Sequence, residues 1–327
     1  MGKYGTRLLI GLAGSFLLLL PVLAHSQETL RLANPTTFLT GLITLAQHRQ
    51  TFAAHGLTII SIPVPTGDEA LTAVEQKQAD LATAAETAFT LHSLTNPSWR
   101  LLAEIGDWDN EVQILARRDA EIHAPKDLRG KRIGTQNRLS TFFFLDQYLM
   151  KQGLSLDEIT IHFMQANELA EALATEKVQA ISARDPYLSQ AKNLLGPDNI
   201  RHFAAPGLYR KTFLLASDSA TIAAKKEAIS RFLQALIQTE EFVRKHPLQA
   251  RQLLQQHHAG EADLQRIWQE IRLAVWLDQH LLLTMEQVAA WAMRNKMVPT
   301  TAIPNFLHNV DPQPLRQIRP IAVNLLQ

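Results

Sequence analysis

Lys131 to Leu195 reads KRIGTQNRLSTFFFLDQYLMKQGLSLDEITIHFMQANELAEALATEKVQAISARDPYLSQAKNLL, and this stretch decides the fold. Lys131–Thr135 predicts a strand, and Ser140–Lys151 a helix. Gly153 stops that helix in the position where a left-handed residue is favoured. Thr160–Met164 predicts the next strand, Asn167–Lys177 a helix, and Val178–Ala183 a third strand. Asp185–Leu195 predicts a last helix, ended by Gly196-Pro197. Strands alternating with helices of this length imply βαβ units and largely parallel sheets.

The alternation extends upstream. Thr29–Ala33, Leu57–Val64, Asp80–Ala84, Trp99–Ile105 and Val112–Arg117 predict strands. Leu42, Leu45, Ala46, Phe52 and Ala53 recur at helical spacing within Leu39–Ala54, and Gly56 follows as a stop. Asp68–Gln78 and Thr87–Leu94 predict shorter helices. Beyond a strand at Phe213–Ala216 the pattern turns helical, over Ala220–Lys245, Leu248–His257, Glu261–Ile271 and Thr284–Asn295. The Val112–Arg117 and Phe213–Ala216 strands bracket the middle block, where two hinge strands are expected.

Composition narrows the function. The chain has 327 residues, beyond the size at which one core keeps growing, so two lobes are expected. Lys3 and Arg7 precede an apolar run over Leu8–Leu23, and small residues follow at Ala24 and Ser26. That order predicts a secretory signal peptide over residues 1–26; the run is short for a membrane anchor. Its removal leaves one more acid than base, which gives no electrostatic footprint for nucleic acid. Cysteine is absent, which excludes disulfides, thiolate metal sites, thiol nucleophiles and a lipid-anchoring cysteine. The 12 histidines form no metal motif, and no dinucleotide, phosphate-loop or nucleophile-elbow motif occurs. No cofactor and no metal are therefore expected.

Several stretches resemble the sulfonate/nitrate/taurine branch of the ABC-importer solute-binding proteins. They are Thr66-Gly67-Asp68-Glu69-Ala70-Leu71 running to Gln78–Ala84, Ala124-Pro125-Lys126-Asp127-Leu128-Arg129-Gly130-Lys131-Arg132-Ile133-Gly134, and Gly153–Ile159 with Ala170–Leu173. Arg184-Asp185-Pro186-Tyr187 is similar to a family turn that normally begins with Trp, and Trp268–Ile271 with Leu277–Leu283 is similar to C-terminal helices of one subgroup. Arg184 and the run Gln136–Thr141 depart from the family pattern at positions that face its ligand. The resemblance implies a two-lobed α/β periplasmic binding protein of type II kind, with two hinge strands and C-terminal helices. Lobe 1 is then 27–112 with 217–327, and lobe 2 is 113–216. It further implies a periplasmic, monomeric carrier that is not an enzyme. Its partners would be a small-molecule ligand and a membrane permease, with no nucleic acid. The alternatives are a sensor that signals to a membrane receptor, and a pyrimidine-precursor binder or enzyme on the same fold. Porphobilinogen-deaminase-like enzymes share that fold but need a cysteine.

In open α/β sheets ligands sit at the carboxyl ends of strands, against helix N-termini that favour anions. Four such ends carry candidates. Thr36 and Thr37 supply hydroxyls for an anion and Phe38 a packing surface; plain capping by Thr is the competing reading. Glu86, followed by Thr87, would accept from a ligand amine, or serve as a first-turn acid. Arg138 is the candidate for bidentate anion contact, with Ser140 and Thr141 adding hydroxyls; a solvated Arg beside a Ser cap is the alternative. In the fourth, Asp185 and Pro186 read as an ordinary helix start, leaving Arg184 and Tyr187 for the cleft. Trp108 sits in a polar loop as a stacking lid or a lobe-packing residue, and Tyr209-Arg210-Lys211 precedes the second hinge strand, where it closes on the ligand. The expected ligand is a small anion or zwitterion of alkanesulfonate, taurine or nitrate type.

Overall fold

The computed structural model describes residues 1–2, 27–258 and 264–325. The expected signal segment, apart from Met1 and Gly2, lies outside the described residues. From residue 27 the chain lays down β1 (Glu28–Pro35), α1 (Gly41–His48), α2 (Thr51–Ala54), β2 (Leu57–Val64), α3 (Gly67–Glu75), β3 (Leu81–Ala85), α4 (Glu86–Ser93) and β4 (Trp99–Asp109). It then builds β5 (Gln113–Arg117), β6 (Arg132–Thr135), α5 (Ser140–Lys151), β7 (Thr160–Phe163), α6 (Leu169–Ala174), β8 (Ala180–Ala183), α7 (Tyr187–Leu195) and β9 (Ile200–Phe203). The third part holds β10 (Arg210–Asp218), α8 (Ser219–Ala224), α9 (Lys226–Lys245), α10 (Pro247–His257), α11 (Leu264–Ile267), β11 (Ile271–Arg272), α12 (Gln279–Arg294) and α13 (Gln313–Ile318).

Two larger sheets result. One has the order β11-β4-β10-β3-β1-β2 and the other β7-β6-β8-β5-β9. In each, three strands are parallel: β2, β1 and β3, and β7, β6 and β8. The strands next to the crossovers are antiparallel, β10 against both β3 and β4, and β5 against both β8 and β9. The alternating pattern of the sequence covers only the parallel part. The chain changes sheet between β4 and β5 and returns between β9 and β10, and direct strand-to-strand passages of that kind carry no crossover helix to signal them. β3 (LATAA) and β8 (AISA) are buried at every residue, as parallel strands covered on both faces are.

Several elements differ from their sequence reading. The helix expected over Leu39–Ala54 is broken at Gln50, whose φ of 57° cannot belong to a right-handed helix. Ala220–Lys245 divides into α8 and α9 at Lys225. α12 starts at Gln279, five residues before the expected Thr284, because the Asp278 side chain caps the His280 amide at 2.8 Å. The expected helix over Glu261–Ile271 lies partly outside the described residues. Within them it gives way after Ile267 to a short turn, and Ile271 then pairs with β4. α7 opens at Tyr187 with Pro186 in the cap position, and Asp185 Oδ1 accepts from the Ser189 amide at 3.0 Å.

α12 reaches both sheets' helices. It packs on α4, and its Trp291 is fully buried, edge-on to Phe142 and Phe143 of α5 with centroids 5.3 Å away in each case. Arg294 closes the contact by an ion pair with Asp146 at 2.6 Å. Truncating a buried tryptophan of this kind costs about 3–5 kcal/mol. Among the described residues no helix is long and apolar enough to cross a membrane.

Candidate functional site

The carboxyl ends of six parallel strands converge on one cavity of about 430 Å³. The first sheet contributes Pro35 and Thr37 after β1, Thr66 and Gly67 after β2, and Ala85 and Thr87 after β3. From the second come Gln136, Ser140 and Thr141 after β6, Gln165 and Asn167 after β7, and Arg184 and Tyr187 after β8. Lys211 and Phe213 of β10 complete the wall. No Asp, Glu, His or Cys is among the described residues that line it.

Two helices aim their N-termini at this cavity without side-chain caps. The cap residues are Ala85 for α4 and Leu139 for α5, and neither side chain can accept a hydrogen bond. On α4 the Glu86 amide already meets the carboxyl of its own side chain. The remaining first-turn N–H groups keep their capacity for an anion, reinforced by the helix dipole. Thr87 and Thr141 are the second residues of those helices. Each hydroxyl is buried and meets no hydrogen-bond partner among the described residues, although Thr87 lies near enough to the Tyr209 hydroxyl to influence it. A buried hydroxyl without a partner is costly unless something else fills its place. The N-terminus of α5 is pinned from below by Ser182 of β8, whose hydroxyl donates to the Thr141 carbonyl at 2.7 Å. On the other side α3 approaches closely because Gly67 has no side chain; a Cβ there would lie 2.7 Å from the Ala84 Cα.

Two cations face the space. Arg184 donates to the Asp185 carbonyl at 2.7 Å and lies 5.8 Å from the Tyr187 ring centre, with no ion-pair partner among the described residues. Lys211 is buried, and its Nζ is 2.6 Å from Glu111 Oε2. Burial pulls the Lys211 ammonium below its usual range, and Glu111 opposes that shift. The polar lining is thus cationic and rich in hydrogen-bond donors.

Six of the twelve residues singled out in the sequence line the cavity: Thr37, Thr87, Ser140, Thr141, Arg184 and Tyr187. The other six lie elsewhere. Thr36 is exposed outside the lining, while Thr37 both lines it and caps the turn at Phe38, accepting from the Leu39 amide at 3.4 Å. Phe38 and Trp108 are core residues with ring centroids 6.3 Å apart, and Trp108 Nε1 donates to Glu270 at 3.1 Å, so Trp108 fills the packing role rather than the lid. Arg138 lies in an adjoining recess with Asp68 and Glu69, donating to the Met297 carbonyl at 2.9 Å. Glu86 and Tyr209 are buried behind the cavity wall. The Tyr209 hydroxyl donates to Glu86 Oε1, and the Thr212 amide donates to Oε2 at 2.9 Å. Burial pushes the Glu86 carboxyl up to about 7.

Gln165 and Asn167 line the cavity without having been proposed as ligand contacts, and of the Tyr209-Arg210-Lys211 segment expected to close on the ligand only Lys211 is in the lining. The strand-end rule applied to Thr160–Met164 reaches the first two. Lys211 lies on an antiparallel strand, which the rule does not cover, and a lysine gives no sequence sign of burial.

A cavity at the facing carboxyl edges of two mixed sheets defines the class: this is the fold of the periplasmic solute-binding proteins. The NMT1/THI5-like family matches residues 38–250, and the chain belongs to that family. Among solved structures, the alkanesulfonate-binding protein SsuA of Xanthomonas axonopodis pv. citri, bound to MOPS, is similar with a TM-score of 0.74 and 19% identity, over 87% of this chain and 98% of that one. The periplasmic aliphatic sulphonate-binding protein SsuA of Escherichia coli gives 0.71 and 17%, over 86% and 97%. The desulfurization enzyme DSZB gives 0.61 and 16%, over 89% and 100%. These likenesses are of fold. No curated protein sequence matches the chain.

Proposed function

We propose that this chain is the periplasmic solute-binding component of an ABC importer, and that it captures an organic monoanion of alkanesulfonate type between two lobes. The observation that carries the reading is the pairing of two uncapped helix N-termini, each with a buried unpartnered threonine hydroxyl, on either side of one carboxylate-free cavity. Such an arrangement offers donors to an anion and, among the described residues, no carboxylate to pair with an ammonium group. A cavity of about 430 Å³ also exceeds what an inorganic anion fills, since a water molecule takes about 30 Å³ of liquid. The apolar lining from Pro35, Ala88, Leu139 and Phe213 suits an organic tail.

The lobes in this reading are 27–112 with 210–327, and 113–209. The second boundary falls before β10 (Arg210–Asp218) rather than after Ala216, because β10 pairs with β3 and β4 of the first sheet. Contacts from both favour a closed state, and a membrane permease recognises that state. Secretion to the periplasm follows from the N-terminal segment, and the carrier works as a monomer. Catalysis is not part of the reading: among the described residues the lining has no His, Cys or carboxylate to act as a base, and Lys211 is held in an ion pair with Glu111.

A thermal-shift panel of residues 27–327 against alkanesulfonates, taurine, nitrate, carboxylates and aminopyrimidines tests this. A ligand at 100 times its dissociation constant adds about 2.7 kcal/mol, a shift of a few degrees. Stabilisation by alkanesulfonates supports the proposal. A response confined to aminopyrimidines would replace it with the pyrimidine-precursor reading.

A further inference from the structure

Behind the cavity lies a buried carboxyl that no ligand touches in this reading. Glu86 is the first residue of α4, directly before the cavity-lining Thr87. Its two oxygens hold Tyr209 and the Thr212 amide, which flank Lys211, another cavity residue. The Tyr209 ring in turn packs on Phe143 and Phe144 of α5, centroids 5.3 and 6.5 Å away, and α5 carries Ser140 and Thr141. One carboxyl therefore ties together the helix start of one sheet, the returning strand with its lysine, and the helix of the other sheet.

We propose that Glu86 is a positioning residue that couples anion capture to proton uptake, so that the site binds its anion most tightly when Glu86 is protonated. It rests on the reading of the cavity as an anion site. An anion seated against Thr87 and Lys211 adds negative charge beside a carboxyl already isolated from water, and like charges in a buried space favour the protonated form. Protonation also frees Lys211 from one of the two carboxylates near it, leaving more of its charge for the ligand.

The groups facing this carboxyl are few. From the returning strand they are Tyr209, held un-ionised by burial and by the Glu86 charge, and Lys211. Glu111 pairs with Lys211, and Arg184 faces Lys211 across the cavity. Among the described residues, the Phe143 and Phe144 rings of α5 meet Tyr209 rather than the carboxyl itself, and Thr87 is the neighbour on α4. Asp109, Arg210 and the α12 residue His280 reach Tyr209 from a crevice on its far side. Glu86, with its carboxyl near 7, is the group placed to exchange a proton in the neutral range.

The test is calorimetric titration with 1-hexanesulfonate, which does not titrate, from pH 5.5 to 9 in two buffers of different ionisation enthalpy, neither a sulfonate. The wild-type protein should bind with constant affinity below pH about 7 and then weaken, by up to about tenfold per pH unit. Its binding enthalpy above that point should depend on the buffer. Glu86→Gln should bind with the wild-type's low-pH affinity and no pH slope. A structural role alone would not move that slope. Flat wild-type affinity with buffer-independent enthalpy overturns the proposal while leaving the anion site standing. So does a slope retained in Glu86→Gln, which would assign the proton to Lys211. Failure of the wild-type protein to bind any alkanesulfonate at any pH removes the anion reading itself, and this inference with it.

Discussion

Thr87 and Thr141 line one cavity from opposite sheets, each as the second residue of a helix whose cap position holds an apolar side chain. Both hydroxyls are buried; Thr141's has no hydrogen-bond partner among the described residues, and Thr87's has only the nearby Tyr209 hydroxyl, outside hydrogen-bond geometry. The free protein thus keeps two donors in a state that only a ligand, or water, satisfies.

Threonine-to-valine substitutions test this without changing shape. Thr87→Val and Thr141→Val should each weaken anion binding by about 1.5–3 kcal/mol, the value of a hydrogen bond to a charged group, or roughly 10- to 150-fold. Stability should stay level or rise, since an unpaired buried hydroxyl is removed. Calorimetry on each variant, with a melting curve beside it, reads both effects. Loss of stability with unchanged affinity would make the hydroxyls structural.

The two arginines should separate. Arg184 faces the cavity with no ion-pair partner among the described residues, so Arg184→Met should reduce affinity at least tenfold. Arg138 holds the Met297 carbonyl in the neighbouring recess. Arg138→Ala should change affinity less than fivefold and chiefly loosen the end of α12. Dissociation constants for the two variants decide which arginine meets the anion.

The absence of a lining carboxylate sets a preference between two near-isosteric ligands. Taurine differs from propanesulfonate in carrying an ammonium group, and desolvating that charge without a partner is costly. Taurine should bind at least tenfold more weakly, as read by competition titration. Equal affinity would require a carboxylate that reaches the ligand, and Asp68 and Glu69 line the adjoining recess.

How much of this was legible in the sequence depends on what kind of signal each element leaves. The βαβ runs were legible because alternating apolar periods and stop glycines such as Gly153 are local. Thr37, Thr87, Ser140, Thr141, Arg184 and Tyr187 follow from the same logic, since they stand where strands end and helices begin. Glu86, Trp108 and Tyr209 carry polar or aromatic groups that look functional in isolation. Their burial depends on residues far along the chain, Glu270 for Trp108 and Glu86 for Tyr209. Arg138 is drawn aside by a carbonyl 159 residues away, a contact with no local trace. The antiparallel β10 was seen only over its apolar centre, because Lys211 disguises a strand position that Glu111 makes tolerable.

Stability should fall as pH rises through the neutral range. Burial pushes Glu104 up to about 8, against an ordinary value of 4.5, and Glu86 to about 7. The folded state therefore holds protons that the unfolded chain releases above 4.5. Each group's stabilising contribution is present below that point and is lost as pH climbs towards its folded value, at up to about 1.4 kcal/mol per pH unit. Glu104 accepts from the Asp278 amide at 2.7 Å, a contact its neutral amide isostere preserves through the carbonyl oxygen. Urea denaturation from pH 5 to 8 should show a shallower decline in Glu104→Gln than in the wild-type protein.

The most direct test of the central claim is the titration of residues 27–327 with 1-hexanesulfonate at pH 6.5, beside the double variant Thr87→Val/Thr141→Val. The account predicts saturable one-to-one binding to the wild-type protein and at least a hundredfold loss in the folded double variant. Equal binding by both proteins, or none by the wild-type protein, would contradict it.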